Sequence, residues 1–248
     1  MIKTTAGLGA ALSTLNYLLY LAADLHTRSP SRAAVIAYIS RLVGRVPSKL
    51  ASGAASAPKT SPLVPLASLV SDTRTTLRLT GLLPLYLWLK TLLSKKGSQG
   101  GDPVIHGVAL VQCLAYIGYQ IAENIYHLAG KGVVPQSFIA KRGGTMKWVV
   151  WSCRGWFVGV AADFVRLWRE AVLIKEKRAR GEGGSQEEQE AIDRKWWDDF
   201  ISAAFWLPLA IHYSLEGGLK GMNTGIVGFC GTMAGLSGLR SAWAATAN

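Results

Sequence analysis

Acidic side chains are scarce in this sequence: 15 Asp and Glu stand against 27 Lys and Arg, and none occurs between Leu25 and Ser71. A net charge of +12 suits a polyanion or an anionic lipid surface as partner. Nucleic acid is excluded by distribution, because the cations sit in short blocks beside apolar runs and no nucleic-acid module accompanies them. Cysteine is equally sparse. Cys113, Cys153 and Cys230 are odd in number, match no metal spacing and lie in apolar runs. That excludes a disulfide framework and fits a cytosol-facing protein with free thiols. Four scattered histidines leave little for catalysis. Glu123 and His127 lie one helical turn apart but lack the rest of H-E-x-x-H, and Gly130-Lys131-Gly132 lacks the rest of a phosphate loop. With no G-x-S-x-G, C-x-x-C or paired carboxylates either, no enzyme, cofactor or metal is expected.

Apolar residues fill the space these absences leave. Half of the sequence is hydrophobic, 17% is charged, and mean hydropathy is +0.23. Nine tryptophans fit a chain that meets membrane–water boundaries, where an apolar ring with one N–H is stable. The fold class read from this is all-α: an integral membrane helical bundle with basic amphipathic helices and a C-terminal glycine-rich helical hairpin.

Five stretches follow. Residues 1–46 hold two N-terminal helices. The first, over 5–27, is leucine-rich. Its opening resembles a signal peptide, but the run is long and continues into Asp24-Leu25-His26, so retention is expected. The second is amphipathic. Val35, Ile36, Ile39, Leu42, Val43 and Val46 share one face, Arg41 and Arg45 stand opposite, and Pro47 ends the run. Such a helix either lies in the lipid interface or packs on its neighbours. Residues 47–65, rich in Ser, Ala, Pro and Gly, read as a flexible linker.

Residues 66–174 carry amphipathic and membrane-embedded helices. Arg74 and Arg78 mark a second basic helix over Leu66–Leu79. The next apolar piece, Leu79–Leu89, is short of the about 20 residues a span needs, whereas the uncharged Pro103–Ala122 reaches that length. The aromatic run 146–174 contains Arg154, and an arginine at a bilayer centre costs about 2.5–3.5 kcal/mol or more. That run is expected near the interface, or with Arg154 turned to a protein partner. Residues 175–195 read as a charged solvent loop, with Trp196 and Trp197 as interfacial anchors. Residues 196–248 form the C-terminal membrane hairpin, anchored at its exit by Trp243.

Within that hairpin Gly221, Gly225, Gly228, Gly231, Gly235 and Gly238 recur at steps of three or four, with no charge from Gly221 to Leu239. A glycine costs about 1 kcal/mol relative to alanine in a water-soluble helix. In lipid the backbone has no alternative to helix, and a small-residue stripe lets two helices approach closely. These six are read as helix-packing residues, the face through which the hairpin self-associates.

Several stretches resemble the peroxin-11 family, in particular its filamentous-fungal branch. Ala33 to Gly44 (AAVIAYISRLVG) is similar to the family's early amphipathic helix with its central tyrosine. Asp72-Thr73-Arg74 through Arg78 to Pro84 resembles the basic helix entering the membrane. Gln120 to Ala129 (QIAENIYHLA) resembles a mid-chain motif around a glutamate. Leu207 to Gly218 plus the glycine stripe is the most specific match. The resemblance implies a peroxisomal membrane protein that elongates and proliferates peroxisomes. It also implies cytosolic termini, homo-oligomers, and contact with a fission adaptor and a dynamin-like GTPase. Two mechanisms stay open. Basic amphipathic helices wedge into one leaflet and curve it, or spanning helices line a small-metabolite pore, for which 103–122 with His106, Gln112 and Gln120 is the best lining. Few intramembrane polar residues favour the first.

A peptide covering residues 31–47 is expected to gain helicity on anionic vesicles, measured by circular dichroism, and to lose binding as salt rises, because surface charge is screened within about 8–10 Å. Ile39→Asp with Leu42→Asp puts charge on its apolar face and abolishes both. An unstructured parent peptide assigns the amphipathicity to internal packing.

Overall fold

The computed structural model describes residues 5–29, 61–94 and 101–244. Among these every regular element is helical: α1 (Thr5–Arg28), α2 (Leu63–Leu77), a 3-10 turn (Arg78–Thr80), α3 (Leu82–Leu93), α4 (Pro103–Gly130), α5 (Gln136–Ala140), α6 (Gly144–Ala179), α7 (Gln186–Ser214) and α8 (Thr224–Ala244). The amphipathic helix expected over 33–46 lies outside the described residues.

Local chemistry sets the helix starts. Asp102 caps α4 by accepting from the backbone N–H groups of Val104 and Ile105, with Pro103 in the first turn, where its missing N–H costs nothing. Ser185 and Glu188 form a reciprocal capping box at the start of α7. That box corrects the reading of 175–195 as a loop. α6 runs on to Ala179 and α7 begins at Gln186, so only the turn between them is not helical. Charged side chains line a helical hairpin as readily as a loop. Here Arg178 pairs with Asp193 at 2.8 Å, and the Trp196 indole donates to the Leu167 carbonyl at 2.9 Å. α2 starts at Leu63, inside the stretch expected to be linker.

The helices close into a circuit in which α1 touches α2, α2 and α3 touch α4, and α6, α7 and α8 follow in turn until α8 returns to α1. Aromatic side chains fill the interior. Tyr17 meets Trp206 edge-on at 5.5 Å, and Trp206 meets Trp156 in the same way at 5.5 Å. Leu209, Val227 and Cys230 pack around them. At one end α6 and α7 run on past the start of α4, whose Asp102 is level with Arg169.

The glycine stripe faces α1 of the same chain. Gly225, Gly228, Gly231 and Gly235 lie against Asp24, Leu21, Tyr17 and Thr14 in turn, so the two helices run antiparallel. A β-carbon on Gly228 would stand 2.8 Å from Leu21 Cα and 2.9 Å from the Tyr17 carbonyl oxygen, backbone atoms that cannot give way. Gly221 precedes the helix, in a turn at φ +85°, and Gly238 faces open space. The opposite side of α8 meets α7, where Ser202 donates to the Ala234 carbonyl at 2.9 Å and Phe205 crosses Phe229.

Gly228→Leu is therefore expected to separate α1 from α8 and to destabilise the fold by about 1–3 kcal/mol or more, as overpacking does. Gly238→Leu is expected to be neutral. Thermal unfolding and limited proteolysis in detergent check both, and equal effects would show that the contact with α1 is not what the glycines serve.

Candidate functional site

α4 carries its polar residues on its buried face. Gln112, Gln120, Glu123 and His127 are all buried, while Val104, Val111, Leu114 and Ile121 are exposed. Each of these side chains has at least one partner, although Glu123 Oε2 has none. Gln112 donates to the Gly159 carbonyl and to Asp163, both at 3.0 Å. Gln120 donates to Asn124, which donates to the Leu79 carbonyl. His127 Nε2 lies 3.0 Å from the Thr76 hydroxyl.

The strongest of these contacts joins α4 to the end of α2. Arg78 donates to Glu123 Oε1 at 2.7 Å, and the Tyr119 hydroxyl donates to the same oxygen at 2.9 Å. The Glu123 side chain is only 4% exposed. One turn earlier, Arg74 sits 5.8 Å above the Tyr17 ring of α1. Asp72, at the rim, takes Lys131 at 2.8 Å, and that hydrogen bond holds its carboxyl below the usual range. The hydrogen bond from Arg169 does the same for Asp102, so both pairs persist at neutral pH and loosen only as pH falls through the carboxylate range.

The outer surface inverts this pattern. Leu66, Leu69 and Leu77 of α2, Leu83, Tyr86, Leu87 and Leu93 of α3, and Trp151 and Trp168 of α6 are exposed, Leu83 to 66% and Trp151 to 60%. Exposed apolar side chains around paired interior charges are unfavourable in water and suited to lipid. Two helices, Gly7–Arg28 and Pro103–Gly130, are long and apolar enough to cross a membrane. The glycine-striped helix is not one of them, since its glycines dilute its hydropathy.

The residues singled out in the sequence fall in different places. Val35, Ile36, Ile39, Arg41, Leu42, Val43, Arg45 and Val46 lie outside the described residues. Arg74 and Arg78, expected on a lipid-facing polar side, point into the bundle, because Glu123 and the Tyr17 ring offer them partners there. The four central glycines gather on α1 as described above. Trp196 is partly covered by α6, whereas Trp197 and Trp243 are exposed. Arg154 turns to a protein partner, donating to the Ser214 carbonyl at 3.3 Å. Sequence reasoning missed the cluster in which Arg166 meets Asp163, Glu170 and Asp199. The i, i+3, i+4 spacing of Asp163, Arg166 and Glu170 was its available signal. Among the described residues no group of three or more His, Cys, Asp or Glu is placed to hold a metal ion.

Together these features describe an all-helical chain with an apolar exterior and two helices of membrane-crossing length. The family profile for peroxisomal biogenesis factor 11 (PEX11) matches residues 33–243, most of the chain, and the chain belongs to that family. No curated protein and no solved structure matches it. The family consists of peroxisome biogenesis factors rather than enzymes, so the chain has a role in peroxisome biogenesis and proliferation as a peroxisomal membrane protein.

Removing one partner of a buried ion pair leaves an uncompensated charge and costs about 3–5 kcal/mol. Glu123→Ala is expected to lower thermal stability in detergent by that order. Arg78→Leu combined with Glu123→Leu is expected to recover most of the loss. A double variant no better than the single one would show that the pair does more than neutralise charge.

Proposed function

We propose that this protein remodels and elongates the peroxisomal membrane to drive peroxisome proliferation and fission. The observation that carries the reading is the inverted polarity of α2, α3 and α4 in a member of this family. Apolar side chains face out along their length while Arg78, Glu123 and Gln120 are paired inside, so the block is built to sit in a leaflet. The basic helix over 33–46, with Arg41 and Arg45 opposite Ile39 and Leu42, is the proposed wedge. Anionic lipid attracts it, and its apolar face expands the leaflet it enters.

α1 and α8 are antiparallel, so Thr5 and Ala244 stand at the same end of the bundle, which supports both termini facing the cytosol. With four of the six glycines engaged by α1, self-association falls to other surfaces, of which the exposed leucines of α3 are the most apolar. A fission adaptor and a dynamin-like GTPase are the proposed cytosolic partners. A small-metabolite channel is the second reading. It draws on a cavity of about 280 Å³ lined by Tyr116, Asp163, Arg166, Asp199 and Ser202. Trp156 and Trp206 form part of the same wall and fill the interior beyond, and the polar groups of α4 are spent on partners within the bundle, which favours shaping over conduction.

A fluorescent fusion is expected to mark peroxisomes. Deletion is expected to leave fewer, larger organelles with matrix import intact, as light microscopy would show. Ile39→Asp with Leu42→Asp should fail to restore elongation. A fusion found only on mitochondria or endoplasmic reticulum would sink the reading, and full rescue by the double variant would remove the wedge from it.

A further inference from the structure

A groove of about 1160 Å³ runs along the outer side of α4 and α6. Its floor is apolar, formed by Val111, Leu114 and Ile121 of α4 with Trp151 and Val158 of α6. Its walls at one end carry Lys141, Arg142 and Lys147, with Arg154 further in. We infer that this groove holds one anionic diacyl phospholipid, with its acyl chains on the apolar floor and its phosphate among Lys141, Arg142 and Lys147. The inference rests on the membrane reading above and adds a discrete lipid site to it.

Size and shape point to a lipid rather than a small metabolite. Small-molecule pockets occupy about 300–1,000 Å³, and this groove exceeds them. Val111 to Ile121 spans about 15 Å at 1.5 Å per residue. That is one leaflet of a hydrocarbon core of about 30 Å. A groove open along one side and facing the bilayer receives acyl chains without any lid.

Charge complementarity fixes the headgroup. Arg78, Lys131, Arg166, Arg169 and Arg178 each meet a carboxylate. Among the described residues Lys141, Arg142 and Lys147 form no such pair. Arg142 instead lies over the Phe138 ring, 4.1 Å from its centroid, at the mouth of the groove. The same mouth receives the N-terminus of the 36-residue α6, whose cap, Gly143, lines the groove and has no side chain to satisfy the first N–H groups. Three cations and an open helix N-terminus favour a phosphate over a zwitterionic surface.

Two glycines in the groove wall separate packing from occupancy. Gly155 is demanded by the protein, since a β-carbon there would stand 2.8 Å from the Ala115 carbonyl oxygen. Gly118 is not, because a β-carbon there meets nothing within 4 Å. A glycine inside a helix with no neighbour to accommodate keeps the groove empty for something else. Gly118→Leu thus fills the groove without disturbing the contact between α4 and α6. Gly107→Leu, also on α4 with nothing within 4 Å and outside the groove, is its control.

The test uses the full-length protein purified from membranes in a mild non-ionic detergent, with bound lipid counted by native mass spectrometry. One retained anionic phospholipid per chain is expected. Delipidated protein should rebind dioleoylphosphatidylglycerol at least tenfold better than dioleoylphosphatidylcholine. Gly118→Leu, and separately Lys141→Gln with Arg142→Gln and Lys147→Gln, should each lower retention at least tenfold at unchanged helical circular dichroism, whereas Gly107→Leu should not. Equal retention by the parent and both groove variants overturns the inference, as does displacement of the lipid by inorganic phosphate alone. So does a photoreactive residue at position 114 that captures protein rather than phospholipid. Carbonate extraction of the same membranes separates the two levels. A chain that resists extraction but holds no phospholipid overturns the groove and leaves the membrane reading standing, while a chain released by carbonate overturns both.

Discussion

The ion pair between Arg78 and Glu123 governs how the first half of this chain meets its middle. A carboxylate that is 4% exposed has to be neutralised where it stands, and among the described residues the end of α2 brings a guanidinium to it. That requirement turns the basic face of α2 inward. Arg74 then lands on the Tyr17 ring of α1, and Leu66, Leu69 and Leu77 are left outside. Because α2 and the 3-10 turn are held against α4, α3 is carried alongside it, and Cys113 reaches the Leu85 carbonyl. The apolar exterior is thus a consequence of interior charge pairing as much as of composition.

The second half is organised by proximity rather than charge. Four glycines let α8 lie against α1 closely enough that backbone meets backbone at Leu21 and Tyr17. This joins residues more than two hundred positions apart and closes the circuit of helices. Between the two halves, the Tyr17, Trp206 and Trp156 rings fill the centre. Tyr17 belongs to both systems, since it lies under Arg74 and against Gly231.

Much of the fold was legible in the sequence. Uncharged runs marked α1 and α4, and the 3.6-residue spacing of small residues marked α8. Other features were not legible, for physical reasons. Periodicity shows that a stripe exists but not which helix covers it, and a stripe met by α1 looks the same as one met by a second copy. A basic helix looks the same whether its arginines face lipid or a buried acid, and the choice depends on Glu123, 45 positions away from Arg78. Charge density could not distinguish the α6–α7 hairpin from a loop, although the Ser185 and Glu188 box carried that information. The groove was invisible because each helix supplies only one wall.

The length of α6 has a mechanical consequence. Its 36 residues extend for about 54 Å, against a hydrocarbon core of about 30 Å. In the membrane arrangement proposed above, with the first turn of α6 set at one boundary beside α4, its last turns and the start of α7 would project roughly 20 Å past the other, given that rise and that core thickness. The projecting part is the charged tip pinned by Arg178 and Asp193, and it stands at the end shared by Thr5 and Ala244. A stiff mast of that kind holds its tip clear of the lipid headgroups, so whatever grips it gains leverage on the bundle below.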